Sequence, residues 1–276
     1  MSSGKVIEMA DDRRLRVVSE VARNLGKRFW RVQAATDSAG VKIGELYIYG
    51  GIYGEKWADE DVTPAVIRDE LAALGPVPEL HVYINSPGGD PWAAHAIYNL
   101  LRRHESKKVV HIDGVAASAA SVVAMAGDRV LMPPNSMMMI HKAWTLAIGN
   151  ADDLREVADV MDRIDESLVM AYEQKTGLER ERIRKMLAVE TWMTAEEAVE
   201  LGFADELDQS RAVAASLRGR VLVVNGQEID LSLFERPPQL GFLPAADPAA
   251  DAQARADEER AKRRRLMELE LELLTG

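Results

Sequence analysis

The chain has 276 residues, 47% of them hydrophobic and 29% charged, with no cysteine and a formal net charge of -11. That length can bury a core without covalent staples, and the lack of cysteine excludes disulfides, thiolate metal sites and a cysteine nucleophile while suiting a reducing, cytoplasmic setting. The acidic balance argues against nucleic acid as a partner, no apolar run reaches the roughly 18 residues of a membrane span, and the five histidines, at 81, 95, 104, 111 and 141, lack the spacing of a metal site, so no metal is expected.

Residues 1–27 are polar and charged and read as a short helix or a mobile extension. From Phe29 the segments FWRVQAA and ELYIYGGI predict two strands. Thr63-Pro64 offers an N-cap followed by proline at the first helical turn, and the helix VIRDELAALG ends at Gly75. LHVYINS (80–86) predicts a buried strand that runs into Pro87-Gly88-Gly89. Asp90 then caps a helix whose Trp92, Ala96, Ile97, Leu100 and Leu101 share one face. VVHID (109–113) is the next strand, and GVAASAASVVAMAG is expected to be a helix of small residues ending at Gly127. RVLM and MMMIHKAW predict two more strands.

Asn150 opens the longest helix, with Leu154, Val157, Met161, Ile164 and Leu168 repeating at three- and four-residue steps up to Gly177. A second helix holds Ile183, Met186 and Leu187; a third starts at the capping box Thr194-Ala195-Glu196-Glu197 and stops at Gly202. FADEL reads as a short strand, residues 220–233 as a hairpin around Asn225-Gly226, 237–256 as a linker, and the end as a charged helix. Strands alternating with helices make this an α/β chain. It divides into an N-terminal extension (1–27), one α/β domain (28–210), a short hairpin-like appendage (211–236) and a linker with a charged C-terminal helix or tail (237–276).

Ser118 stands where a strand meets a helix, among small residues. A nucleophilic serine needs exposure, a nearby base and backbone N–H groups aimed at a developing oxyanion, and such a turn supplies them at low steric cost. Alone, a serine there is more often an N-cap. His141, at the end of the apolar strand MMMI, would supply the base that a serine lacks near neutral pH. The glycines of INSPGGD (84–90) let backbone approach a ligand closely.

The ordered set INSPGGD, GVAASAASVVAMAG, PNSMMMIHKAW and ETWMTAEEAVELGFADEL resembles the Clp protease proteolytic subunit. It looks closest to the Clp-like proteases found among phage head-maturation genes. The resemblance spans roughly residues 40–208 and implies a Clp/crotonase-type α/β fold of repeated ββα units. It implies a serine endopeptidase with Ser118 as nucleophile, His141 as base, and the backbone N–H groups of Gly89 and Ala119 as oxyanion donors. The acid of the family's triad, an aspartate, falls on Glu190; Asp205 is the nearest alternative carboxylate, more simply read as a polar strand-edge residue. Thr145 and Leu146 stand where the family often has a glycine pair. The helix over 150–176 would be the handle that mates two rings.

No cofactor is implied. The implied partners are a peptide or protein substrate, copies of the same chain in a homo-oligomeric ring, and an ATPase unfoldase or capsid and portal proteins. Three rivals share features of the sequence. A crotonase-like acyl-CoA enzyme would need acidic groups at the site rather than Ser118 with His141. A signal peptide peptidase would use a lysine base and a membrane anchor. A non-catalytic scaffold subunit would not need Ser118, His141 and Glu190 together.

Overall fold

The structure, a computed structural model, describes residues 30–36, 40, 42–55, 62–209, 215–218, 221–224, 227–231 and 234–237. The expectations for 1–27, for the Asn225-Gly226 turn, and for the linker and charged helix over 238–276 lie outside the described residues. The strands of the main sheet are β1 (Trp30–Thr36), β2 (Lys42–Ile52), β3 (Glu79–Gly89), β4 (Lys107–Ala117), β5 (Arg129–Met132), β6 (Met137–Ile140), β7 (Thr191–Thr194) and β8 (Glu206–Leu207). Along one path the order is β1-β2-β3-β4-β5-β8, and β6 branches from β4 to pair with β7. The pairs β1–β2 and β6–β7 are antiparallel and the others parallel.

The helices are α1 (Pro64–Leu74), α2 (Pro91–Arg103), α3 (Ala119–Ala124), α4 (Ala151–Thr176), α5 (Arg180–Ala188) and α6 (Ala195–Glu200). Their starts follow the cap residues. Thr63 accepts from the Val66 N–H, Asp90 from Trp92 and Ala93, and Asn150 and Thr194 each close a reciprocal box with the residue three positions on. Gly177 ends α4 at φ 68°, the left-handed conformation that favours glycine.

Strand periodicity sorts the two faces of the sheet. Leu46, Ile48, Leu80, Val82, Ile84, Val110 and Ile112 face the helices and join Ile67, Leu71, Ile97, Leu101 and Val122 in the main core. Burying each such side chain is worth about 1.5–3 kcal/mol. The opposite face carries stacked Tyr47 and Tyr83 rings, centroids 4.6 Å apart, and His111 against Tyr83 at 4.8 Å. Further along that face, Val115, Ala117, Met137 and Met139 are covered by Leu222, Leu231 and Phe234. These belong to the appended part, where β9 (Ala215–Arg218), β10 (Val221–Val224) and β11 (Gln227–Asp230) make an antiparallel sheet with β10 in the middle.

One local expectation is corrected. Residues 114–117 are not helix: they extend β4, with Val115, Ala116 and Ala117 paired to Met137, Met138 and Met139, and α3 is only six residues long. Small side chains suit either element, and here the neighbouring strand decides. The apolar row along α4 is divided between the domain and solvent. Ile164 and Leu168 are buried in the domain and Met161 packs against the same core, but Leu154 is 44% exposed.

Candidate active site

Ser118 follows β4 directly and holds φ 53° and ψ -126°, a conformation that L side chains rarely adopt. It makes no side-chain cap bond to α3, so its hydroxyl is not used as an N-cap. The Ser118 N–H donates to the Met139 carbonyl at 2.9 Å, tying the turn to β6. Because β4 and β6 run parallel with Ala117 opposite Met139, Ser118 and His141 leave the sheet side by side. Ser118 Oγ and His141 Nε2 are 2.8 Å apart. With the imidazole proton on Nδ1, the hydroxyl donates to Nε2, the arrangement in which histidine can take the serine proton.

His141 is held from both sides. The next residue donates its backbone N–H to the Leu187 carbonyl, and Ala143 N–H donates to Asp165 Oδ1 on α4 at 2.9 Å. Burial pushes the imidazole below its ordinary value of 6.5; Glu190, Glu235 and Asp165 pull it back up by charge, and burial prevails.

Glu190 reaches the same place by strand register. β6 and β7 are antiparallel with Ile140 opposite Thr191, so the residues just beyond, His141 and Glu190, face each other. Glu190 has φ 52° after α5, and with Ser118 it is one of the two non-glycine residues of positive φ among the described residues. Backbone strain of about 1–3 kcal/mol at each such position is therefore concentrated at this site. The Glu190 side chain is 5% exposed, and its Oε2 lies 3.8 Å from His141 Nδ1. That is an electrostatic contact, too long for a hydrogen bond. The carboxylate instead accepts from Trp192 Nε1 at 3.3 Å and from the backbone N–H groups of Glu235 and Arg236 at 2.9 and 2.6 Å. Sequence reasoning missed Trp192, Phe234, Glu235 and Arg236; no local pattern marks them, and 45 residues separate Glu190 from Glu235.

Asp205 is elsewhere. It accepts from the Val130 N–H and pairs with Lys175 at 2.6 Å, the strand-edge role that was its simpler reading. Ser121 is fully buried, with Oγ bonded to the Ser118 carbonyl and to the Tyr172 hydroxyl.

Gly88 and Gly89 border the serine turn. A Cβ on Gly88 would come within 2.8 Å of both Ala119 N and Ser118 Cβ, and one on Gly89 within 2.1 Å of the Ile52 carbonyl oxygen. Only glycine fits between the end of β2 and the turn, and both residues have positive φ. The Gly88-Gly89 backbone thus abuts the turn that presents Ser118 and the Ala119 amide. Among the described residues no group of three His, Asp or Glu could hold a metal ion, and no helix is long and apolar enough to cross a membrane.

An α/β sheet that presents a serine hydroxyl to an imidazole in this way has the geometry of a serine-type hydrolase. The sequence model of one family, Clp protease, matches residues 45–211. The ATP-dependent Clp protease proteolytic subunit of Deinococcus radiodurans is 34% identical over 144 residues, covering 51% of this chain and 71% of that one. The ATP-dependent Clp protease proteolytic subunit 1 of Bifidobacterium longum is 32% identical over 167 residues, 59% and 71% of the two chains. The chain therefore belongs to the Clp protease family. It is a serine-type peptidase, and its mixed α/β sheet is the Clp/crotonase-type fold.

Proposed function

We propose that the chain is the proteolytic subunit of a homo-oligomeric endopeptidase in which Ser118 is the nucleophile and His141 its general base. The observation that carries this reading is the 2.8 Å approach of His141 Nε2 to a Ser118 hydroxyl that caps nothing. His141 takes the Ser118 proton as Oγ attacks the scissile carbonyl. The N–H groups of Gly89 and Ala119 receive the oxyanion, His141 protonates the leaving amine, and water resolves the acyl-enzyme. Glu190 is the third member: its negative charge beside Nδ1 favours the imidazolium that forms. A fluorophosphonate probe tests the assignment. Its adduct should map to Ser118 in peptide mass spectrometry, and an adduct on another serine would overturn it.

The pH dependence follows from the depressed His141. Neutral imidazole is the active base, so kcat/KM should persist to lower pH and reach half its plateau below 6.5. A pH–rate profile with its acid midpoint above 6.5 would show that the three carboxylates outweigh burial.

The relatives carry the name ATP-dependent Clp protease proteolytic subunit. By that likeness we assign this chain to a ring fed by an ATPase unfoldase, working in the cytoplasm where ATP is at hand. The exposed apolar row supports assembly: Trp144, Leu146 and Ile148 are 74%, 85% and 95% exposed, and Leu154 follows on α4. Such a run is costly to leave in water and suits burial against a second copy. Wild type should sediment as an oligomer, while Ile148→Asp and Leu154→Asp should sediment lighter and lose peptidase activity in parallel. Each replaced contact is worth about 1.5–3 kcal/mol and recurs in every subunit. A monomeric, fully active wild type would refute the assembly. The resemblance to head-maturation proteases makes capsid and portal proteins the first substrates to assay.

A further inference from the structure

The family match ends at residue 211, yet the main-chain groups that hold Glu190 come from residues 235 and 236. After the three-stranded appended sheet, Leu231 and Phe234 settle on Val115, Ala117, Met137 and Met139, on the strands that lead into Ser118 and His141. The Phe234 ring lies edge-on to Trp192, centroids 5.2 Å apart, and 6.5 Å from the His141 ring. Phe234 is 7% exposed and the Glu190 side chain 5%, so the ring and the carboxylate are buried together on the acid side of the site. The next two N–H groups donate one to each oxygen of Glu190, Glu235 to Oε2 and Arg236 to Oε1. Arg236 also reaches the Val189 carbonyl at 3.3 Å, which fastens the segment to the end of α5.

We propose that residues 234–236 are a positioning strap, which fixes the Glu190 carboxylate and through it the imidazole of His141, and which this chain adds to the family's catalytic unit. The proposal rests on reading Ser118, His141 and Glu190 as the catalytic triad. Glutamate has one more rotatable bond than aspartate, and at 3.8 Å the imidazole does not hold the carboxylate itself. Two backbone donors from consecutive residues, one to each carboxylate oxygen, restrict that freedom. Glu235 and Arg236 act through their amides, so their side-chain identities matter less than the presence of an N–H. This separates the strap from mere packing.

The test compares proline with alanine at each position in the full-length protein. Both replacements remove the side chain, but only proline removes the donor. Glu235→Pro and Arg236→Pro should show kcat about 30- to 100-fold below Glu235→Ala and Arg236→Ala, with KM little changed, as a misplaced catalytic group costs. In a Glu190→Ala background the proline–alanine difference should shrink to within about threefold, because the strap then holds nothing. Equal differences in both backgrounds, or none in the wild-type background, would overturn the proposal. If the proline chains lose the wild-type oligomer mass, an α-hydroxy acid placed at position 236 by nonsense suppression removes the donor alone, and the same outcomes decide. Retained turnover in Ser118→Ala would instead remove the triad reading beneath the strap. A dead Ser118→Ala with unslowed proline variants removes the strap alone.

Discussion

Ser118→Ala should abolish peptide hydrolysis and the fluorophosphonate adduct, whereas Ser121→Ala keeps most of both. The two serines lie three residues apart in one run of small side chains, so they are easily confused on paper. Their surroundings are opposite. Ser118 turns its hydroxyl toward His141, while the Ser121 hydroxyl lies within the helix layer between the Ser118 carbonyl and Tyr172. Losing the nucleophile of such a triad costs about a millionfold in kcat, leaving only binding and oxyanion donors to act. Losing Ser121 Oγ leaves the buried Tyr172 hydroxyl without that partner. This should cost about 1–3 kcal/mol of stability and little turnover. Steady-state kinetics and probe labelling on the two variants decide the matter. An inert Ser121→Ala beside an active Ser118→Ala would reverse the assignment.

Glu190→Gln should lower kcat by about 10²- to 10⁴-fold without unfolding the protein. The amide removes the charge that partners the imidazolium, and its NH2 must face the N–H of Glu235 or Arg236, so one of those two hydrogen bonds is lost as well. The 3.8 Å separation from Nδ1 points to the lower part of that range, since a charge acting without a hydrogen bond contributes less. Asp205→Asn is the contrast. It weakens an ion pair between a carboxylate 41% exposed and a Lys175 side chain 11% exposed, a change in stability of about 1 kcal/mol that lies away from Ser118 and His141. Turnover should stay near wild type. A severe loss in Asp205→Asn with a mild one in Glu190→Gln would mean that the acid is not at 190.

Where sequence and structure part company, the difference is between local and distant causes. The caps at Thr63, Asp90, Asn150 and Thr194 were legible because a capping side chain bonds amides two or three residues away. The strand-to-helix turn at Ser118 was legible in outline, but the strand character of residues 114–117 was not. It comes from pairing with Met137, Met138 and Met139, some twenty residues on, and small side chains leave the choice to the partner. Periodicity along α4 correctly marked an apolar row, yet it could not say that Ile164 meets the domain while Leu154 meets solvent. That depends on where the rest of the chain lies.

By itself, the sequence determined the order of most elements, β7 and β9 excepted, their caps, and the motifs that carried Ser118, His141 and the glycine pair. Only the tertiary structure decided which groups meet. Strand register brought His141 opposite Glu190, and a segment beyond the family match closed on that carboxylate through backbone N–H groups. Backbone amides are the same in every non-proline residue. A site built partly from them leaves no mark in the side-chain sequence until folding places them.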